Sequence, residues 1–430
     1  MSISQNFPAI SPTLNLNFAR SKKLDPRITF TRTSSATRTN AQGLIEVVSA
    51  DTPRFEHSYN SSTGSVNSLG LLVEESRTNS IRNNTMVGAV AGTPGTNPTS
   101  WTYATAQSNG LTVSIVGTGI ENGINYIDYR FNGTTVASPF ACAIGIDNAS
   151  AATAQTWTAS LYWKLASGTT TGITNWQIGV IENTSGAAFV SGAFYTQTSP
   201  TSAALITQRP AATRTLSGGA TVGMVSYPLN IPVAGNTAID FTIRLGMPQL
   251  EQGAFVTSVI PTVASTRTRA ADNASMTGTN FTSWYNSSEG TLFAASRINA
   301  LGGSNYPGIA YVDDGTSNNC IGFYINDAGS DTIGAEAYIS NVAQYGLSSS
   351  ATTANQLNKV ISAYKVNDFA AAFNIGSNAV QTDTSGSVPT VNRLIIGDLR
   401  GSSAKLNGTI SQLLYYPRRL TNTQLQNLTK

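Results

Sequence analysis

The sequence predicts an all-β chain: an N-terminal extended arm, two β-sandwich (jelly-roll-like) domains and a short C-terminal helix. Three observations predict it. Apolar and polar residues alternate with a period of two over short runs, clusters of Gly, Ser, Thr and Asn separate those runs, and no helical period lasts beyond a turn or two before the C-terminus. Hydrophobic residues make up 40% of the chain and include five Trp, 16 Tyr and 15 Phe, enough apolar area to order it although only 11% of residues are charged. At 430 residues the chain is long enough for two or three domains with separate cores.

Residues 1–85 hold short extended pieces at 28–31, 44–48 and 70–73, separated by Gly43, Pro53 and a polar loop near Asn60 to Asn67. Ile28 and Phe30 alternate with Thr29 and Thr31, as a half-buried strand requires. This segment carries too little apolar sequence for a core of its own and is expected to pack on a neighbour, either the next domain or another subunit.

Residues 86–262 alternate more cleanly. Trp157, Ala159, Leu161, Trp163 and Leu165 fall on one strand face, opposed by Thr156, Thr158, Ser160, Tyr162 and Lys164. Trp176, Ile178 and Val180 repeat the pattern, as do Ile239, Phe241, Ile243, Leu245 and Met247. Short strands joined by small polar turns predict a sandwich of jelly-roll type. The polar passage after Ile260-Pro261 sets the next boundary, and 263–430 begins a second series of strands with a tight turn at Asn367-Asp368. Thr421 followed three residues later by Gln424 is a capping-box pattern, and Leu425 with Leu428 gives the closing helix one apolar side.

Composition also excludes function classes. The net charge is +3, and the basic clusters are confined to Ser21-Lys22-Lys23 and Pro417-Arg418-Arg419, so nucleic acid is not an expected partner. Cys142 and Cys320 lie far apart, which argues against a disulfide and leaves no CxxC metal site. The N-terminus lacks a basic region followed by an apolar one, and no run approaches the length of a membrane span. The expectation is a chain without a signal peptide and without membrane insertion.

The stretch Asp25-Pro26-Arg27-Ile28-Thr29-Phe30-Thr31-Arg32, with Thr52-Pro53-Arg54-Phe55 and Gly70-Leu71-Leu72-Val73-Glu74-Glu75-Ser76-Arg77-Thr78-Asn79, resembles the opening segment of bacteriophage virion proteins, particularly tail and fibre components. Leu245-Gly246-Met247-Pro248-Gln249-Leu250-Glu251-Gln252-Gly253-Ala254-Phe255 looks like the end of a carbohydrate-binding-module-like sandwich common in such proteins. Ser283-Trp284-Tyr285-Asn286 with Glu289-Gly290-Thr291-Leu292, and the passage from Leu406 to Leu425, look like the start and close of a concanavalin A-like (laminin G-like) domain. The resemblance implies a tail-fibre or tail-associated structural protein of the virion, made in the host cytoplasm. It implies other virion proteins as partners, a homotrimer by analogy, and adhesion to host-surface glycan. A capsid decoration or head-fibre protein and a glycan-degrading virion enzyme are the alternatives.

No catalytic residues are expected. A nucleophile triad would need His57, the single histidine, which reads as a surface or interface residue. Glu74 and Glu75 are adjacent and point to opposite strand faces, so they cannot flank one glycosidic bond. The last domain holds only Glu289 and Glu336, without the clustered Glu-x-Asp-x-x-Glu of concanavalin-like glucanases. Arg32, Arg54 and Arg77 are the assembly-contact candidates. They could reach a neighbouring subunit or pair internally with Asp51, Glu74 or Glu75 to fix the arm. Trp101, Trp284 and Tyr285 are the glycan-platform candidates, with Tyr103 and Tyr345 as further aromatics near polar loops. Asp313 and Asp314 before Gly315 could supply oxygen ligands to Ca2+, although turn formation explains the same residues.

Overall fold

A computed structural model describes residues 7–105, 110–137, 140–219, 222–303, 305–376, 379–400 and 404–430. Among them the chain is built almost entirely from antiparallel strands, arranged as two sandwiches with separate cores.

The central sandwich faces one five-stranded sheet against another. The first runs Ala211–Thr215, Thr156–Gly168, Ala238–Gln252, Ile124–Thr134, Leu111–Glu121; the second runs Phe189–Thr196, Gln177–Asn183, Met224–Val233, Phe140–Ser150, Tyr103–Thr105. Trp157, Leu161, Trp163, Trp176, Phe131 and Phe241 fill the space between them. Trp176 meets Trp163 and Phe241 edge-on at 5.8 and 5.7 Å, the geometry that aromatic quadrupoles favour. The alternation expected at 156–165 holds on the core side but not on the other. Thr158, Ser160 and Tyr162 are also buried. Tyr162 packs with Ile124, Leu205, Met247 and Val259, against which Ile45 of the N-terminal segment also lies, so this sheet face is covered by the rest of the chain rather than by water.

The C-terminal sandwich is completed by the N-terminal segment. Its seven-stranded sheet runs Thr29–Thr31, Asn273–Thr277, Arg393–Ile396, Gly308–Asp313, Cys320–Asn326, Thr332–Ile339, Val342–Ala351. The facing eight-stranded sheet runs Gln381–Asp383, Phe369–Phe373, Asn358–Lys365, Glu289–Ile298, Gly408–Tyr416, Ser65–Val73, Arg54–Asn60, with Leu14–Asn17 also paired to Gly408–Tyr416. One edge of Gly408–Tyr416 is therefore shared. Residues 408–410 pair with 71–73, and 412–415 pair with 14–17. Gly70, with φ +107°, sits where these partners part; a β-carbon there would lie 2.1 Å from the Ile410 carbonyl oxygen.

Leu14, Leu16, Phe18, Phe55, Leu71 and Val73 enter the same core as Leu292, Phe323, Val360 and Leu413. The segment too poor in apolar residues for a core of its own thus lends them to another, each buried side chain contributing roughly 1.5–3 kcal/mol. The two-stranded ribbon Arg77–Asn79 with Arg267–Arg269 carries the chain past both sandwiches. The closing helix spans Asn422–Thr429, and Thr421 and Gln424 form the expected capping box. Leu425 packs with Phe293, Ile361 and Leu414 on the outer side of the eight-stranded sheet.

Candidate functional site

The outer face of the seven-stranded sheet gathers tyrosines, an arginine and a carboxyl. Leu394, Val312, Ile321, Phe323, Ile333, Ala335 and Ala337 point into the core, so the alternate residues Tyr311, Tyr324, Glu336 and Tyr338 point outward. Cross-strand register places Tyr311 beside Gly322, Gly322 beside Glu336, and Glu336 beside Gly346; it also sets Tyr324 beside Gly334. The glycines leave floor space for rings to lie along the sheet. A β-carbon on Gly334 would sit 2.2 Å from Tyr324 Cε1, and one on Gly322 would sit 2.4 Å from Tyr311 Cδ1, whereas Gly346 opens to empty space.

Arg400 reaches over this face from the loop after the strand Arg393–Ile396. Its guanidinium lies 3.7 Å from the Tyr338 ring centroid, 3.2 Å from Glu336 Oε1 and 3.6 Å from Cys320 Sγ. The Tyr311 hydroxyl donates to Glu336 Oε1 at 2.8 Å. Burial raises the Glu336 carboxyl above its ordinary value, against the opposing pull of Arg400 and Tyr311. Tyr306, 46% exposed, stands 6.0 Å from the Tyr324 ring at the margin. Tyr324 and Tyr338, both half-buried, with the Arg400 guanidinium over Tyr338, can present an apolar face and hydrogen-bonding groups to a polyhydroxylated ligand, while Tyr311 and Glu336 are buried and support them.

The predicted platforms are elsewhere. Trp101 is buried, stacks with Tyr129 and donates its Nε1–H to the Asn83 carbonyl at 2.8 Å. Trp284 is buried between Phe281 and Tyr415, and Tyr285 stacks on Phe281 at 4.7 Å. Tyr345 is buried, with its hydroxyl 2.7 Å from Ser362 Oγ. Trp101, Trp284 and Tyr345 fill cores, where an edge-to-face cluster gains more from burial than from exposure, and Tyr285 is half-buried with one face on Phe281. The side chain of Tyr103 lies outside the described residues.

Asp313 is fully buried, pairs with Arg393 and accepts from the Gly315 N–H at 2.8 Å. Asp314 accepts from the Thr316 N–H and hydroxyl at 2.9 and 2.6 Å and from Asn319 Nδ2 at 2.7 Å. Both carboxylates are engaged in building the turn. Among the described residues no group of three or more His, Cys, Asp and Glu surrounds a metal position.

The three arginines singled out from the sequence lie at the junction of the N-terminal segment with both sandwiches. Arg32 and Arg54 are buried together with Arg269, Glu74, Asp272 and Glu251. Arg54 Nη1 donates to Glu74 Oε2 at 2.6 Å, Ser258 Oγ at 2.8 Å and the Thr37 carbonyl at 3.0 Å, while Nη2 bonds Asp272. Arg32 Nη1 meets the other Asp272 oxygen at 3.0 Å, and its backbone N–H meets Asp51 at 2.8 Å. Arg269 lies 3.2 Å from Glu74, and Arg77 lies 2.5 Å from Glu75 while stacking on Phe255. Of the two roles weighed for these arginines, their burial matches the internal one: they bind the chain to itself. Burial alone would raise the Glu74 carboxyl, but the Arg269 and Arg54 guanidiniums hold it down to about 2. His57 is buried rather than superficial, with Nδ1 3.1 Å from the Thr39 carbonyl oxygen. Cys142 and Cys320 are free, buried thiols.

No protein-family model matches the chain, and no curated protein matches it. Among solved structures it is similar to the CBM40 of a Ruminococcus gnavus IT-sialidase, with 16% identity and a TM-score of 0.29 over 35% of this chain and 88% of that one. It is also similar to a Trypanosoma rangeli sialidase, with 13% identity and a TM-score of 0.27 over 36% of this chain and 25% of that one. A heptameric SAP-like pentraxin of Limulus polyphemus shares 13% identity and a TM-score of 0.25 over 33% of this chain and 70% of that one. Likenesses this slight carry no argument about activity.

Proposed function

We propose that the chain is a non-enzymatic structural protein of a bacteriophage virion, a tail-fibre or tail-associated component that adheres to host-surface glycan through the outer face of its seven-stranded sheet. The observation that carries the adhesion reading is the tyrosine face, with Tyr324 lying against Gly334 and Arg400 fixed over Tyr338. Sugars bind such surfaces by stacking their C–H faces on rings while hydroxyls meet guanidinium and carboxyl groups. Each contact of that kind is weak, and copies of the chain on one particle would add by avidity. The virion reading rests on the likeness of the opening segment to phage tail and fibre components. Glu336 is buried and tied to Tyr311 and Arg400, which suits it to holding Arg400 in place rather than to proton transfer at a scissile bond.

The adhesion reading is tested with the full chain on a broad glycan array and on host cells, alongside Arg400→Ala and Tyr338→Ala. Binding that falls at least tenfold in both variants supports it, and a wild-type chain that binds neither glycan nor cells overturns it. Imaging of intact particles tests the tail position, since density on the capsid would favour a decoration protein. Shortening of host polysaccharide by the purified chain would replace adhesion by hydrolysis.

A further inference from the structure

Beside the tyrosine face, and independent of it, three side chains converge in a way that an ordinary ion pair does not require. Lys405 is 5% exposed, and its Nζ lies 2.7 Å from Asn273 Oδ1 and 2.5 Å from Asp398 Oδ2. Asn273 begins the strand Asn273–Thr277, between Thr29–Thr31 and Arg393–Ile396. Lys405 and Asp398 face each other across an isolated bridge in the loop that leads to the closing strand Gly408–Tyr416. The Asn273 amide nitrogen turns away, 3.5 Å from the Ala271 carbonyl oxygen. A cleft of about 380 Å3, lined by Asn273, Ser275, Arg393, Asp398 and Lys405, opens beside them.

We propose that Lys405 and Asn273 join in an intramolecular isopeptide bond, with Asp398 as the proton carrier. A neutral lysine amine is a nucleophile, and Asp398 stands where it can take the proton from Lys405 Nζ. The hydrogen bond to Oδ1 brings the adjoining Asn273 Cγ within reach of Nζ, and a nucleophile held in this way needs no encounter. Burial raises the Asp398 carboxyl, against Lys405, whose proximity lowers it, which makes it a better proton acceptor than an exposed carboxylate.

The step balances without a co-reactant. Asp398 takes one proton from the Lys405 ammonium, and the neutral Nζ attacks Asn273 Cγ. Asp398 returns its proton to the amide nitrogen as the Cγ–Nδ2 bond breaks, and the second proton of the attacking nitrogen completes the departing ammonium ion. The ammonium of Lys405 and the primary amide of Asn273 become a secondary amide and one ammonium ion, which leaves through the cleft. Asp398 is left ionised near Arg393. The bond would staple two points 132 positions apart, fixing the first strand of the C-terminal sandwich proper to the loop before its last strand.

Intact-mass measurement and peptide mapping of the purified full chain test this. The expected result is a chain lighter by one ammonia, with a branched peptide joining positions 273 and 405. Lys405→Arg and Asp398→Asn should both retain the full mass. Succinimide formation at an Asn-Gly step such as Asn132-Gly133 loses the same ammonia, so the branched peptide decides. A wild-type chain with no branched peptide after prolonged incubation at neutral and mildly alkaline pH overturns the proposal, with or without a mass loss. A crosslink that persists in folded Asp398→Asn overturns the role given to Asp398. The wild-type map stands alone if either variant fails to fold.

Discussion

Arg54 and Asp272, 218 positions apart, form an ion pair from which water is excluded on both sides. Arg54 opens a strand of the N-terminal segment, and Asp272 stands one residue before the first strand of the C-terminal sandwich proper. Three guanidiniums, Arg32, Arg54 and Arg269, meet two carboxylates, Glu74 and Asp272, in one buried cluster, with Glu251 held by Thr257 beside Arg269. The desolvation cost of such a group is repaid only while every partner stays in place.

Removing one partner strands the others. Arg54→Met leaves Glu74 and Asp272 without their nearest shared cation and should destabilise the chain by about 3–5 kcal/mol. Urea unfolding followed by Trp fluorescence measures this. A loss below about 1 kcal/mol would mean that the cluster is hydrated in solution and contributes like a surface pair.

The C-terminal sandwich should not fold as residues 263–430 alone. That fragment lacks Leu14–Asn17, Thr29–Thr31, Arg54–Asn60 and Ser65–Val73, and exposes the core surface that Phe18, Phe55 and Leu71 cover. It also leaves one edge of Gly408–Tyr416 unpaired, a template for aggregation. Circular dichroism and proteolysis of the fragment are expected to show an unfolded or aggregated chain. A protease-resistant monomer would contradict the shared core.

Local signals were legible in the sequence, and long-range ones were not. Thr421 with Gln424 announced the helix cap because both residues lie within one turn, and Trp157 to Trp163 announced a strand because the period is carried by neighbours. The poverty of residues 1–85 in apolar sequence implies a segment that packs on a neighbour; which neighbour depends on pairing across the chain. The tyrosine face was hidden for the same reason. Tyr324 and Gly334 become a ring and its floor only through cross-strand register, which the sequence does not encode locally. Trp101 and Trp284 were ambiguous because a buried Trp and an exposed one look alike in a chain whose turns are polar everywhere.

Stability should fall as pH rises through neutrality. Glu56 lines a cavity of about 250 Å3 with Arg38, Glu74, Tyr162 and Arg209, and burial pushes its carboxyl up to about 7 against the hydrogen bond from Thr39. The folded chain therefore holds this proton more tightly than the unfolded chain, whose carboxyl titrates near the ordinary 4.5. Stability is full below that value and declines as pH climbs to the folded one, by on the order of 1.4 kcal/mol per pKa unit. Glu74 acts in the opposite sense: held down to about 2, it stabilises the fold above its ordinary value of 4.5 and that contribution is lost on acidification. Melting temperatures measured across this range should show Glu56→Gln losing less between mildly acidic and mildly alkaline pH than the wild type. Parallel curves for the two would assign the decline to another group.

Two glycines on the tyrosine face make a matched pair for testing its geometry. Gly334 lies under Tyr324, whereas Gly346 has nothing within 4 Å of where its β-carbon would be. Neither has a positive φ, so alanine meets no backbone strain at either position. Gly334→Ala must lift the Tyr324 ring off the sheet and should cost about 1–3 kcal/mol, as overpacking does. Gly346→Ala should change stability by no more than about 0.5 kcal/mol. If the tyrosine face is also the adhesive one, Gly334→Ala loses glycan binding under conditions where the chain remains folded, because the ring no longer lies flat. Equal unfolding midpoints for the two variants would show that Tyr324 does not rest on Gly334 in solution, and the platform geometry would fall with it.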